Sequence, residues 1–370
     1  MTFQSKNGIY CNNILYRKAY IRKKNMKSPS FTFSILIPAH NEELCVARCI
    51  ESCLNQTRKP DQIIVVNDGS TDNTLEVLKK FTGVIEIVNL PVATGNKSRA
   101  QEIGIKYVTS DVFIVTDGDT VLDKNFIEQI ECTFVRHPDA AAVAGYVHGS
   151  SFNYLTAIRE IDYVIGQDFY KLAQSYLNYI YVIAGCAGAF KTKLFTEGLV
   201  TIEHDTLTED LDFTFKIHRL GLPIHFNMKA VCYTQDPHTL HSYVNQMRRW
   251  YAGGWQNLRK HMPIMFKSPS AAWCLSMGYL EGLLLPITLL VALIADVNLF
   301  VWLIAIYSIM NILAGAYAAV CRKDIRLFFY SPLSTPIKFL QAYLYLEQFV
   351  KEIVFRRKEL VWFNPERRTM

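Results

Sequence analysis

Four short apolar runs, 33–38 (FSILIP), 62–67 (QIIVVN), 84–89 (VIEIVN) and 112–116 (VFIVT), alternate with stretches whose apolar residues recur at helical spacing. Runs this short and nearly unbroken predict strands buried on both faces. The stretches between them predict helices over 41–56, with Asn41 as N-cap and Glu42 and Glu43 in the first turn, over 72–81 and over 97–108. Four strands joined by three crossovers imply an α/β domain with a parallel sheet and helices on its faces. Ligands of such sheets gather beyond the carboxyl ends of the strands.

A different pattern governs the last hundred residues. From Ala271 to Cys321 only Glu281 and Asp296 are charged, and Asp296-Val297-Asn298 divides the run into 271–295 and 299–321. Each piece is about long enough to cross the roughly 30 Å hydrocarbon core as a helix, so a transmembrane hairpin is expected; a pair of buried core helices is the alternative. Arg259, Lys260 and Lys267 precede the run and Arg322, Lys323 and Arg326 follow it. The positive-inside bias puts both flanks, and the α/β domain with them, in the cytoplasm of a multi-pass protein of the cell membrane. With no apolar stretch at the N-terminus, no signal peptide is expected. The divisions are a basic segment 1–30, the α/β domain 31–258, an interfacial segment 259–270, the hairpin 271–321, and an interfacial or third membrane segment with a basic tail, 322–370.

Charge sharpens this division. Residues 1–30 carry seven basic groups and no acid, 321–370 carry ten basic and five acidic, and 31–320 carry 22 basic and 28 acidic, so the chain runs +7, −6, +5. A coat for wrapping nucleic acid would be uniformly basic, and no nucleic-acid partner is expected. The nine cysteines include no CxxC pair, and Cys45, Cys49 and Cys53 fall on one helix face as a core stripe of reduced thiols.

The predicted strands end in polar punctuation: His40-Asn41-Glu42-Glu43 after the first, Asn67-Asp68-Gly69-Ser70 after the second, Asp117-Gly118-Asp119 after the fourth. Turn chemistry explains each alone; together they gather carboxylates at one rim. Asp117 and Asp119 suit a hard divalent cation, Mg2+ or Mn2+, that shares its octahedron with phosphate oxygens. Asp68 could accept the imide N–H of a pyrimidine. Lys97 or Arg99, near a helix start, could meet phosphate charge. Thr208-Glu209-Asp210 supplies either a helix N-cap or, through Asp210, a base able to take a proton from a hydroxyl nucleophile. In Gln246-Met247-Arg248-Arg249-Trp250, positions 246, 249 and 250 share one helix face, placing a guanidinium for phosphate beside an indole for a sugar face. An amphipathic membrane-surface helix uses the same residues.

Taken in order, IPAHNEE (37–43), VVNDGSTDNT (65–74), TGNKSRA (94–100), TDGDT (116–120), IAGCAGAFK (183–191), LTEDLD (207–212) and QMRRW (246–250) resemble the membrane-bound processive glycosyltransferases of family 2, which include cellulose, chitin, hyaluronan and poly-N-acetylglucosamine synthases. The likeness covers about 33–258, with the apolar hairpin in the expected place. It implies a GT-A fold, a UDP-sugar donor, a divalent cation and inversion at the anomeric carbon. Carried onto this chain it implies donor binding by Asn41, Glu43, Asp68, Lys97, Arg99 and Asp117, with the metal at Asp117 and Asp119. It also implies Asp210 as general base, and Gly185, Gly188, Glu209, Gln246, Arg249 and Trp250 around the diphosphate and the acceptor. The wording around AGCAGAFK and LTEDLDFTFKIHRLG is closest to synthases that polymerise N-acetylglucosamine, making UDP-GlcNAc the first donor expected and a growing glycan the acceptor. A single addition to a glycolipid or a polyprenyl phosphate is the alternative.

The likeness has two departures. Two spans are too few to enclose a polysaccharide channel, so 331–355 adds a third span, a re-entrant element or an interfacial helix, or a homo-oligomer or small membrane partner completes the pore, or the product is short. Glu102 stands where the family often has Asn. The basic ends fit arms on anionic headgroups, each basic residue near the surface contributing about 1 kcal/mol. Deleting residues 1–30 is therefore expected to weaken liposome association more at low salt than at high salt in a sedimentation assay; loss independent of salt would contradict an electrostatic arm.

Overall fold

The computed structural model describes residues 31–150, 152–357 and 368. The basic segment 1–30 and most of the basic tail beyond 357 lie outside the described residues.

The four expected strands form, as β1 (Phe33–Ala39), β2 (Gln62–Asp68), β3 (Glu86–Leu90) and β4 (Val112–Val115), with helices α1 (Val46–Leu54), α2 (Thr74–Lys79) and α3 (Lys97–Ile105) between them. They pair in parallel in the order β3-β2-β1-β4, Ile35 opposite both Ile63 and Ile114. The strand period of two splits their side chains between two cores. Ile35, Ile37 and Val65 pack with Cys49 and Cys53 of α1, so the cysteine stripe is core as its spacing suggests. Leu36, Ile64 and Val66 pack with Ala100 and Ile105 of α3 on the opposite face.

The expected start of the first helix needs correction. Helix α1 begins at Val46, not Asn41, because Asn41 takes the left-handed conformation, φ 55°, which no helix N-cap uses. Its N–H donates to Ser70 Oγ at 3.0 Å and its Oδ1 accepts from Thr71 N at 2.8 Å, tying the exit of β1 to the exit of β2.

The second half of the sheet comes from distant pairings. It contains β5 (Val121–Leu122), α4 (Phe126–Arg136), β6 (Ala142–Gly149), α5 (Tyr154–Ile165), β7 (Gly188–Lys191), α6 (Glu209–Arg219) and β8 (Ile224–Thr234). The full order is β3-β2-β1-β4-β7-β6-β8-β5, with β7 antiparallel to both its neighbours. Helix α5 opens on a capping box between Asn153 and Thr156 and continues through a π-turn, Gly166–Lys171.

Four long helices close the chain: α7 (Leu240–His261), α8 (Pro269–Ala295), α9 (Val297–Arg322) and α10 (Ser334–Phe349). The boundary expected at 258 falls inside α7. Helix α9 is long and apolar enough to cross a membrane, with a mean hydropathy of 2.0, and almost none of it is buried, unlike a core helix. Helix α8 qualifies only as a bent pair, Pro269–Leu280 and Gly282–Ala295, turned by 49°. Pro286, one turn beyond the break, cannot donate to the carbonyl of Gly282, and its ring crowds that turn. The expected hairpin is thus one straight apolar helix and one broken one. The third candidate, 331–355, contacts the α/β domain: Glu347 pairs with Arg248 at 2.9 Å, Lys338 with Asp162 at 2.6 Å, and Glu352 accepts from Gln256 at 2.8 Å. Leu211 and Phe215 of α6, Trp255 of α7, Leu275 and Tyr279 of α8 and Tyr345 of α10 form one cluster that joins these helices to the domain.

At the end of β2, Gly69 has φ +56°, and a Cβ there would lie 2.1 Å from Ala93 N. Gly83 also has a positive φ but open space around it. Gly69→Ala is expected to destabilise more than Gly83→Ala, by about 1–3 kcal/mol, in thermal melts of the detergent-solubilised protein. Equal costs would show that the 91–95 loop is not held against β2.

Candidate active site

The carboxyl ends of β1, β2 and β4 open into a cavity of about 760 Å3, lined also by residues of α5, α6 and α7 and by Tyr279 of α8 and Tyr345 of α10. Chain segments remote in sequence meet here because a parallel sheet delivers every strand exit to one edge.

Its centre is a small charge cluster. Lys97, the first residue of α3, ion-pairs with Asp117 at the exit of β4 and lies 3.3 Å from Glu209 Oε1, the first residue of α6. Burial alone would lower the Lys97 pKa, but Asp117 and Glu209 more than reverse this and hold it above its ordinary value. Beside it, Asp210 accepts from Gly185 N at 3.1 Å and from Leu211 N at 2.8 Å. Burial, then the neighbouring Glu209 charge, raise the Asp210 carboxyl to about 6; Lys97 and the two N–H groups oppose them. A Cβ on Gly185 would stand 3.2 Å from Lys97 Nζ and 3.6 Å from Asp210 Oδ2, so this glycine keeps the space in front of both groups clear.

Of the expected residues, Asp68, Lys97, Asp117, Asp119, Gly185, Glu209, Asp210, Gln246, Arg249 and Trp250 line this cavity. Both oxygens of Asp68 accept from Thr94, at 2.7 and 2.8 Å, so it also anchors the loop before α3. Trp250 lies under the Arg159 guanidinium, 4.8 Å from the ring centroid. Asn41, Glu43, Arg99 and Gly188 lie off the cavity. Asn41 and Glu43 bind the 71–73 turn, Glu43 through Asn73 N at 2.9 Å, and it is Glu42 that faces inward. Arg99 is exposed, two residues round α3 from Lys97. Gly188 is a packing position, where a Cβ would meet Ile183 and Phe190 at 2.8 Å. Glu102, the departure from the family pattern, accepts from His204 Nε2 at 3.1 Å and so ties α3 to the loop before α6.

Sequence reasoning missed Asp162, Lys171, Tyr181, Asp236, Tyr279 and Tyr345, all on the cavity wall. Asp236 is buried between Arg159 and Tyr163, whose hydroxyl donates to it at 3.0 Å; burial raises its carboxyl to about 6. Its one signal was an Asp directly before Pro237, at the end of the eighth strand.

The donor set suits a hard divalent cation. Asp117 and Asp119 bring oxygen ligands from one short turn, and Asp119 is buried against the cavity, where its Oδ1 accepts from the Thr120 hydroxyl at 3.2 Å.

The family model "Glycosyl transferase family 2" matches residues 34–198. Residues 34–198 are thus similar to glycosyltransferase family 2. The poly-beta-1,6-N-acetyl-D-glucosamine synthase of Staphylococcus epidermidis is 30% identical over 224 residues, 60% of this chain and 54% of the relative, so this chain spans about half the length of that relative. Among solved structures, the mannosyltransferase PcManGT from Pyrobaculum calidifontis, in complex with GDP-Man and Mn2+, superposes with a TM-score of 0.63 at 17% identity, over 94% of this chain and 96% of that one. S. aureus TarS 1–349, in complex with UDP-GlcNAc, superposes with a TM-score of 0.50 at 15% identity, over 82% and 91%. These likenesses show a GT-A glycosyltransferase fold with a mixed sheet.

Behind the cavity, α6 is locked in place. Asp212, fully buried, accepts from His261 Nε2 at 2.7 Å and ion-pairs with Lys216 at 2.7 Å and with Lys260 at 2.9 Å. Burial would raise its pKa, but the His261 and Lys216 hydrogen bonds outweigh it and hold it at about 2. A depressed carboxyl stabilises the fold above the unfolded-state pKa and loses that contribution as pH falls towards 2. Asp212→Asn is expected to lower stability by roughly 2–3 kcal/mol at pH 7 and by visibly less at pH 3, in denaturant titrations. A pH-independent difference would show that the pairing is not the source.

Proposed function

We propose that this chain transfers a sugar, first of all N-acetylglucosamine, from a UDP-sugar to the hydroxyl of a growing glycan, with inversion, at the cytoplasmic face of the cell membrane. The observation that carries this is Asp210: a carboxylate held by Gly185 N–H in the cavity, poised near pH 6, beside the Lys97–Asp117 pair. A base for a sugar hydroxyl needs that placement and a pKa near working pH. The donor is supported by the GlcNAc-polymerising relative and by the UDP-GlcNAc complex of TarS.

In this reading Asp68 meets the uracil, and Gln246, Arg249 and Trp250 hold the diphosphate and the acceptor end. Asp210 takes the proton of the acceptor hydroxyl; its oxygen bonds to the anomeric carbon as the bond to the diphosphate breaks and UDP departs. Lys97 and Arg249 face the charge that grows on the leaving group. A divalent cation held by Asp117 and Asp119 supplies further charge neutralisation when bound. Asn41 and Glu43 act from outside the cavity, by holding the turn after β2.

One observation favours a single addition to a glycolipid as a second reading: Tyr279 of α8 and Tyr345 of α10 line the cavity, and α9 is the one unbent candidate span among the described residues.

With UDP-GlcNAc and Mg2+ or Mn2+, purified protein is expected to release UDP, with kcat/KM rising as pH increases through about 6, because the base must be ionised to act. Asp210→Asn should cut the rate by about 100-fold or more. UDP release unchanged in that variant would refute the base assignment. Sizing the product separates the readings: a ladder supports polymerisation, and a single added sugar supports the glycolipid reading.

A further inference from the structure

Lys171 is 8% exposed, lines the cavity, and is the last residue of the π-turn in the helix that follows β6. Among the described residues no acceptor lies within hydrogen-bond reach of its Nζ; its partner is the face of Phe226, 5.5 Å from the centroid. An ammonium taken out of water without an anion is costly, and a fold keeps one where a ligand completes the pairing. Burial lowers its pKa only to about 8, opposed by Cys186, then Asp210 and Cys232, so it is mostly charged at neutral pH.

The local backbone is built to hold it there. Gln167 clamps the π-turn to β6 as a second backbone would: its Oε1 accepts from Val147 N at 2.8 Å and its Nε2 donates to Val147 O at 2.7 Å. The extra residue of the turn shifts the register of the following side chains, and such turns recur at functional sites. Of the four carboxylates central to the site, Asp210 is the one whose charge acts on Lys171, whereas Lys97 answers Asp117, Glu209 and Asp210. Lys171 is therefore a cationic position on the cavity wall distinct from Lys97, which is paired with Asp117.

We propose that Lys171 is a binding residue for an anionic group, a phosphate or a carboxylate, carried by the acceptor or by the transferred sugar next to the hydroxyl that Asp210 activates. This deepens the transferase reading and rests on it. A wholly neutral sugar pair would leave this ammonium unmatched in the closed complex; an acceptor with a glycosyl phosphate, or a uronate on either partner, would match it.

The test is equilibrium binding, separate from turnover. The full chain in detergent is saturated with UDP and Mg2+, which fills the diphosphate site, and titrated calorimetrically with N-acetylglucosamine, N-acetylglucosamine 1-phosphate, glucose and glucuronate. At least one charged sugar is expected to bind ten-fold or more tightly than its neutral counterpart, and which one does so separates phosphate from carboxylate. Lys171→Met should abolish that preference and Lys171→Arg keep it; Lys171→Gln replaces Met should the latter not fold. Equal binding of charged and neutral sugars, or a preference that survives loss of the ammonium, overturns the proposal. UDP release is followed in parallel: an anion preference without transfer from any donor strikes the transferase reading, and transfer without the preference strikes this one.

Discussion

The charge cluster at the centre of the cavity is arranged around one ammonium. Lys97 stands between a carboxylate at the exit of β4 and another at the start of α6, and those two elements share no strand pairing. Two carboxylates a few ångströms apart repel by several kcal/mol at an effective dielectric of about 20, so the acidic turn of α6 could not settle against the acidic turn of β4 without a cation between them. The same arrangement sets the chemistry of its neighbour. Glu209 is paired and stays close, and its charge, with burial, holds Asp210 in the range where a carboxylate is both ionised and basic at neutral pH.

Position is then fixed from behind. Asp212 ties α6 to His261 and Lys260 of α7, while Leu211 and Phe215 on the same helix enter the aromatic cluster with Trp255, Tyr279 and Tyr345. Successive residues of one helix thus serve the cavity, the salt cluster and the apolar cluster. A shift of α6 would disturb all three at once, which is how a helix start can hold a carboxylate in place without a side-chain cap.

What the sequence disclosed follows from the range of each interaction. The parallel half of the sheet and its carboxylate rim were legible because strand period and turn chemistry are local. The cysteine stripe was legible for the same reason. Asn41 was misread because a capping residue and a left-handed corner share a composition, and only the contact with Ser70 and Thr71 decides between them. Glu42 and Glu43, or Lys97 and Arg99, differ by direction alone, which a short polar motif does not encode. Lys171 and Tyr279 were invisible: the first depends on a π-turn clamped by Gln167, the second on how α8 meets α10. The apolar helices were legible as composition, but not the break in α8, although Gly282 and Pro286 both carried its signal.

That break has a mechanical meaning. Gly278 and Tyr279 belong to the cavity wall, and Leu275 and Tyr279 to the aromatic cluster, all on the near side of the 49° turn. Tyr345 seals the joint, its ring filling the space a side chain at Gly282 would need and its hydroxyl donating to Tyr279 O at 2.9 Å. The apolar helices are therefore tied to the cavity from two ends: the inner half of α8 lines it, and the far end of α9 returns to the domain, where Arg322 ion-pairs with Glu160 and the Tyr317 hydroxyl donates to Asp168 at 3.2 Å.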